Sequence, residues 1–171
     1  ILLKLSMHPV QKVKSIRVNG IFFTYPKKKL LIPDSEIYSF DKLKVGFYPF
    51  SGDYLSFGKH IPNWHKNYFN SHESSSKHLD WWKIPDFDSE LGDIKAVWEL
   101  SRFDWVVQLS IIASTGKNEA INLLNDRLND WIQENPFYKG INWKCGQEAS
   151  IRVIHLIMGA FILDQLKNPT N

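Results

Sequence analysis

The sequence predicts a mainly α-helical chain, built of antiparallel helical hairpins behind a short β-hairpin and extended lead-in, on three observations. Apolar residues recur at helical spacing between Ile94 and Ile162. Gly116 and the pair Asn135-Pro136 divide that stretch into three helices joined by short loops. The first 58 residues carry instead an Asn-Gly dipeptide and scattered Pro and Gly, which favour turns and extended backbone.

In chain order, Val13 to Val18 alternates apolar and polar residues, Asn19-Gly20 suits a type I′ turn, and Ile21 to Tyr25 supplies the returning strand. Pro26, Pro33, Gly46, Pro49, Gly52 and Gly58 then suggest irregular segments wrapped over a larger body, so the chain divides into 1–58 and 59–171. Lys27-Lys28-Lys29 reads as a solvated loop. His60, His65, His72 and His78 lack the tight pairing of a zinc site, so neither a metal nor a cofactor is expected. Trp81-Trp82 anchors the approach to the helices. The first helix runs from Asp93, an N-cap, to Thr115-Gly116, with Ile94, Val97, Trp98, Trp105, Val106, Leu109 and Ile112 inward. The second starts at Asn118 and buries Ile121, Leu124, Leu128, Trp131 and Ile132. The third runs from about Gly146 to Leu166, with Ile151, Ile154, Ile157, Met158, Phe161 and Ile162 inward.

Composition narrows the function classes. The charged fraction of 23% and apolar fraction of 43% are those of a globular protein. A formal charge of +3 is too weak for a nucleic-acid binder, though it suits an anionic polysaccharide. The apolar run from Ile151 to Leu166 is interrupted by Arg152 and His155, so no membrane span is expected. Aromatic residues make up 14% of the chain, which fits either a core of large side chains or a groove for sugar rings. Cys145, the single cysteine, excludes an internal disulfide. The chain opens Ile1-Leu2-Leu3 and closes on Asn168-Pro169-Thr170-Asn171, and both ends read as cuts in a longer protein.

Two polar stripes stand out. Lys95, Glu99 and Arg102 are four and three residues apart, as are Glu148, Arg152 and His155, which keeps each trio within about 60° on a helix. They are either ordinary surface ion pairs or the walls of a shared cleft where Arg102 and Arg152 meet sugar carboxylates. Asn142 and Trp143 lie just ahead of the third helix, near an N-terminus whose free N–H groups attract anions.

Gly92-Asp93-Ile94-Lys95-Ala96-Val97-Trp98-Glu99-Leu100-Ser101-Arg102-Phe103, Asp130-Trp131-Ile132 with Asn135-Pro136, Gly140-Ile141-Asn142-Trp143 and Glu148-Ala149-Ser150-Ile151-Arg152 together resemble the N-terminal domain of heparinase II/III-like polysaccharide lyases. The resemblance covers roughly residues 60 to 165 and keeps the order and spacing of several linked motifs. It implies the start of an incomplete α/α toroid, followed in the family by a β-sandwich. It also implies β-elimination on polysaccharides that contain uronic acids, and hence an acidic polysaccharide as partner. The family's catalytic Asn, Tyr and His stand in motifs that Asn142, Tyr138 and His155 do not match, so no catalytic residue is assigned. Trp98, Glu99, Arg102, Asn142, Trp143, Glu148 and Arg152 are expected to form or brace the substrate groove. The family's degradative members are exported, which suggests a periplasmic or secreted protein, with a cytoplasmic place on a biosynthetic polymer left open. A toroid interrupted after its first hairpins would expose an apolar face, so self-association through that face is a further expectation. The alternative reading is a non-catalytic carbohydrate-binding or scaffolding helical domain.

Overall fold

In the computed structural model, which describes residues 20–27, 29–33, 38–49 and 52–166, the chain is mainly helical with two small antiparallel sheets. Helix α1 (Phe40–Val45) begins where the Ser39 hydroxyl accepts from Lys42 N, and it leads into strand β1 (Gly46–Phe47), which pairs with β2 (Leu55–Ser56). Only glycine fits at position 46. A Cβ there would sit 2.4 Å from the Tyr54 ring and 2.5 Å from the Leu55 carbonyl oxygen. Strands β3 (Phe87–Asp88) and β4 (Gly92–Asp93) form a hairpin whose turn is held by Asp88 Oδ1, accepting from Glu90 N and Leu91 N at 2.9 Å each.

Four helices follow: α2 (Lys95–Ser101), α3 (Asp104–Ser114), α4 (Glu119–Glu134) and α5 (Gly146–Ile162). The sequence pattern suggests one helix from Asp93 to Gly116, but the chain breaks at Arg102-Phe103. Phe103 adopts a left-handed conformation (φ 71°), a costly one for a bulky residue. Burial holds it there: its ring packs edge-on against Trp105 and Trp131, at 5.4 and 5.0 Å between centres. Trp105 Nε1 donates to Leu100 O at 3.0 Å, satisfying a carbonyl freed where α2 stops. Asp93 serves the start of α2 by accepting from Lys95 N at 2.9 Å.

Helix α3 is the spine and packs against both α4 and α5. Val106, Leu109 and Ala113 of α3 are buried against Ile121, Leu124 and Leu128 of α4. The N-terminal segment belongs to the same core through Phe23, Phe40, Leu43 and Phe47. Ile21 to Tyr25 is not a strand; the partner stretch Val13 to Val18 and Asn19 lie outside the described residues. Side chains of α4 satisfy this segment's backbone instead. Asn125 Oδ1 accepts from Phe22 N and Phe23 N, Asn125 Nδ2 donates to Phe23 O, and Asn129 exchanges two bonds with Gly20. Arg127, wholly buried on α4, donates to Leu43 O, Lys44 O and His60 O, which ties the end of α1 to the helical body.

Helix α5 reverses its expected orientation. Ile154, Ile157, Met158 and Phe161 face outward, with Phe161 73% exposed, while Glu148, Arg152 and Gly159 are buried. Gly159 is the reason that α5 lies so close to α3: a Cβ there would stand 2.9 Å from Val106 Cγ1 and 3.0 Å from Ser110 Oγ. The helix ends at Ile162, short of Leu166.

Candidate functional site

The two polar stripes meet. The break after α2 turns Arg102 toward the first turns of α5, where one edge of its guanidinium grips both carboxylate oxygens of Glu148: Nε donates to Oε2 at 2.8 Å and Nη2 to Oε1 at 2.9 Å. Nη1 donates to Glu99 Oε1. Two carboxylates therefore occupy one arginine fork, in a partly buried setting where charge-assisted bonds are strong. The pairing with Glu148 holds the Arg102 pKa above its ordinary value.

Behind this triad lies a second, more deeply buried set. The 3-10 turn Ile141–Trp143 packs against α2, where Trp98 Nε1 donates to Ile141 O at 2.8 Å. Asn142 has no exposed surface and donates to Trp64 O at 3.0 Å and Asn135 Oδ1 at 2.8 Å. Trp143 Nε1 donates to Asn135 O at 3.0 Å. Arg152 Nη2 donates to Asn142 O at 2.9 Å, with its guanidinium carbon 5.0 Å from the Trp131 ring centre and 5.3 Å from that of Trp143. Burial between the indoles lowers the Arg152 pKa to about 10, because the charged form has lost its water.

The seven residues singled out in the sequence thus form one cluster at the junction of α2, the 3-10 turn and α5. Glu99 and Arg102 keep part of their surface in solvent; Trp98, Asn142, Glu148 and Arg152 are buried, and Trp143 is half-buried. Most of the polar groups in the cluster are directed at protein partners, while Asn142 Oδ1 and Arg152 Nη1 are buried without a hydrogen-bond partner. Of the other residues with catalytic side-chain types, His155 holds Arg102 O at 2.6 Å through Nδ1, which must carry the proton because a carbonyl only accepts. Its Nε2 lies 3.6 Å from Asp104, whose pKa is raised by burial. Tyr138 has a half-exposed ring near Trp143.

The sequence reading missed an open cleft of about 520 Å³ between the 59–77 segment and the end of α4. Lys59, Lys77, Glu73, Asp130 and Glu134 line it with charges of both signs, and Trp64 Nε1 donates to Asp130 Oδ2 at 2.6 Å. Burial raises the Asp130 pKa. No motif spans these positions, and only the fold brings them together. Among the described residues no group of His, Cys, Asp and Glu is placed to hold a metal ion, and no helix is long and apolar enough to cross a membrane. Compared with family models, curated proteins and solved structures, the chain matches none of them.

Proposed function

We propose that this chain is the N-terminal portion of a polysaccharide lyase acting on an acidic, uronate-containing polymer, and that its share of the work is architectural. The observation that carries this reading is the interlock. Motifs about 40 residues apart, Trp98-Glu99 with Arg102 and Asn142-Trp143 with Glu148 and Arg152, lock together through paired charges and indole hydrogen bonds. A linked set of motifs that share one cluster has a common physical reason to keep its order and spacing. In this reading the α-helical body is the start of an α/α toroid, and the cluster stiffens the wall along which the sugar chain lies. The proton-transfer residues of the elimination stand outside the motifs matched here, so the chain by itself is inactive.

Burial of Asn142 and Arg152 favours a second reading, in which the protein is a non-catalytic scaffold for carbohydrate and no elimination takes place. Release of unsaturated uronate, followed by ultraviolet absorbance on heparan, hyaluronan, alginate and capsular polymers, separates the two. Product from a longer protein carrying this chain, with none from the chain alone, is the expected result. Product from the chain alone would overturn the assignment of inactivity, and silence from both would favour the scaffold.

A further inference from the structure

Residues 20–25 lie against α4 and the end of α5, and among the described residues no backbone–backbone hydrogen bond involves them. Amide side chains take that role. Asn129 accepts from Gly20 N at 3.1 Å and donates to Gly20 O at 3.0 Å. Asn125 accepts from Phe22 N at 2.9 Å and Phe23 N at 3.0 Å, and donates to Phe23 O at 2.8 Å. Gln165, just past α5, accepts from Thr24 N at 3.0 Å and donates to Thr24 O, and Asn122 accepts from the Tyr25 hydroxyl at 3.0 Å. Asn122, Asn125 and Asn129 are three and four residues apart, so they share one face of α4. The amides of Asn125 and Asn129 also donate to Ile121 O and Asn125 O one turn back, which fixes both side chains from the helix itself. The segment offers one anchor in return. Phe23 is 6% exposed, and its Cζ lies 3.5 Å from where a Cβ on Gly159 would stand, whereas Ile21 is 78% exposed and Tyr25 52%.

We propose that this row of amides is a groove for an extended peptide with one aromatic anchor, and that residues 20–25 are its occupant in cis. Recognition of this format draws affinity from main-chain hydrogen bonds, which any extended sequence offers, and selectivity from a pocket for one side chain. A strand built into a sheet would exchange bonds with a neighbouring strand, but this segment gives its main chain to side chains. Its release exposes amides and peptide groups that water can satisfy, together with one buried ring. It therefore opens locally, below the free energy of global unfolding. The covalent tether keeps the cis segment at a high effective concentration, so a peptide from another chain enters when the cis anchor is weakened. The incoming peptide needs an aromatic ring at the Phe23 position and no proline at the Phe22 or Phe23 positions, where an N–H must reach Asn125. The groove shares no residue with the α2–α5 cluster, so the inference stands apart from the lyase reading.

Fluorescence anisotropy tests it on the full chain with an N-acetylated peptide of residues 20–27, labelled through Lys27. Phe23→Ala weakens the cis occupant and leaves the amides intact, so the peptide is expected to bind this variant about tenfold or more tighter than wild type. It is also expected to raise the variant's thermal midpoint, while the same peptide carrying Phe23→Ala does neither. Adding Asn125→Ala to the variant is expected to abolish binding. No binding to a Phe23→Ala chain that keeps its helical circular dichroism would overturn the inference. Binding that survives Asn125→Ala would place the peptide elsewhere and overturn it too. Native-state hydrogen exchange of the wild type decides the matter even where Phe23→Ala does not fold. The amides of Phe22, Phe23 and Thr24 are expected to exchange by local opening, faster than those of Leu124 and Leu128 in α4. Exchange of both sets through one global opening would make residues 20–25 an integral part of the fold and sink the proposal.

Discussion

His65 shows how a single buried side chain sets a pH dependence. Its Nε2 faces Glu134 O at 3.1 Å and must carry a proton, while Nδ1 is buried without a hydrogen-bond partner, so the neutral ring fits and a second proton does not. Burial accordingly lowers its pKa below the ordinary 6.5. Below that value the unfolded chain binds the proton more readily than the folded one, so this contribution to stability is present above pH 6.5 and lost as pH falls through the folded pKa. Resistance of the wild type to chemical denaturation is expected to fall as pH drops below 6.5, and His65→Gln is expected to flatten that slope even if it starts less stable. Glu148 makes the complementary case for a charge that must stay. Glu148→Ala leaves the Arg102 fork with one carboxylate in a largely buried site and is expected to cost about 3 kcal/mol, whereas Arg102→Met combined with Glu148→Leu costs less than the two single changes added together. A double-mutant cycle read by urea denaturation checks both statements.

Helix existence was legible in the sequence, because apolar spacing and the stops at Gly116 and Asn135-Pro136 are local properties of the chain. Helix α4 shows this most cleanly, with Ile121, Leu124, Leu128 and Trp131 buried where the period places them. The break between α2 and α3 was not legible: Phe103 bends the chain to seat its ring against Trp131, a residue of another helix. The facing of α5 failed for a related reason. Hydropathy puts Ile154 and Phe161 inside and the charges outside, but Glu148 is paired with an arginine 46 residues away, and Arg152 is held by a carbonyl and two indoles, with its Nη1 buried and without a hydrogen-bond partner. Sequence spacing did expose both stripes as unusual, which is why the cluster could be named before its geometry was known. Gly159 is the element-level test of the buried face. Alanine would improve helix propensity by about 1 kcal/mol, yet its methyl group would meet Val106 Cγ1 at 2.9 Å and Ser110 Oγ at 3.0 Å in a packed interface. Overpacking of that kind costs about 1–3 kcal/mol. Gly159→Ala is therefore expected to lower the thermal midpoint, and an unchanged or higher midpoint would mean that α5 can move away from α3 freely.

Across the whole molecule, 21 Lys and Arg face 18 Asp and Glu, and the two arginines that the sequence singles out for an acidic sugar are already engaged by the protein. In the proposed reading, attraction to a polyanion then rests mainly on lysines, whose field is screened beyond about 10 Å at 0.1 M salt. Retention of the chain on an immobilised acidic polysaccharide is expected to be measurable at low ionic strength and to fall steeply as salt is added. Arg152→Met separates bracing from contact. Methionine fills much of the space between the two indoles without a buried charge, so the variant is expected to fold and to elute at the wild-type salt concentration, with its effect confined to stability. If Arg152 reached the sugar, elution would instead move to lower salt at unchanged folding. That outcome would require the α2–α5 junction to open, because in the closed arrangement the guanidinium lies between Trp131 and Trp143 with only 4% of the residue exposed.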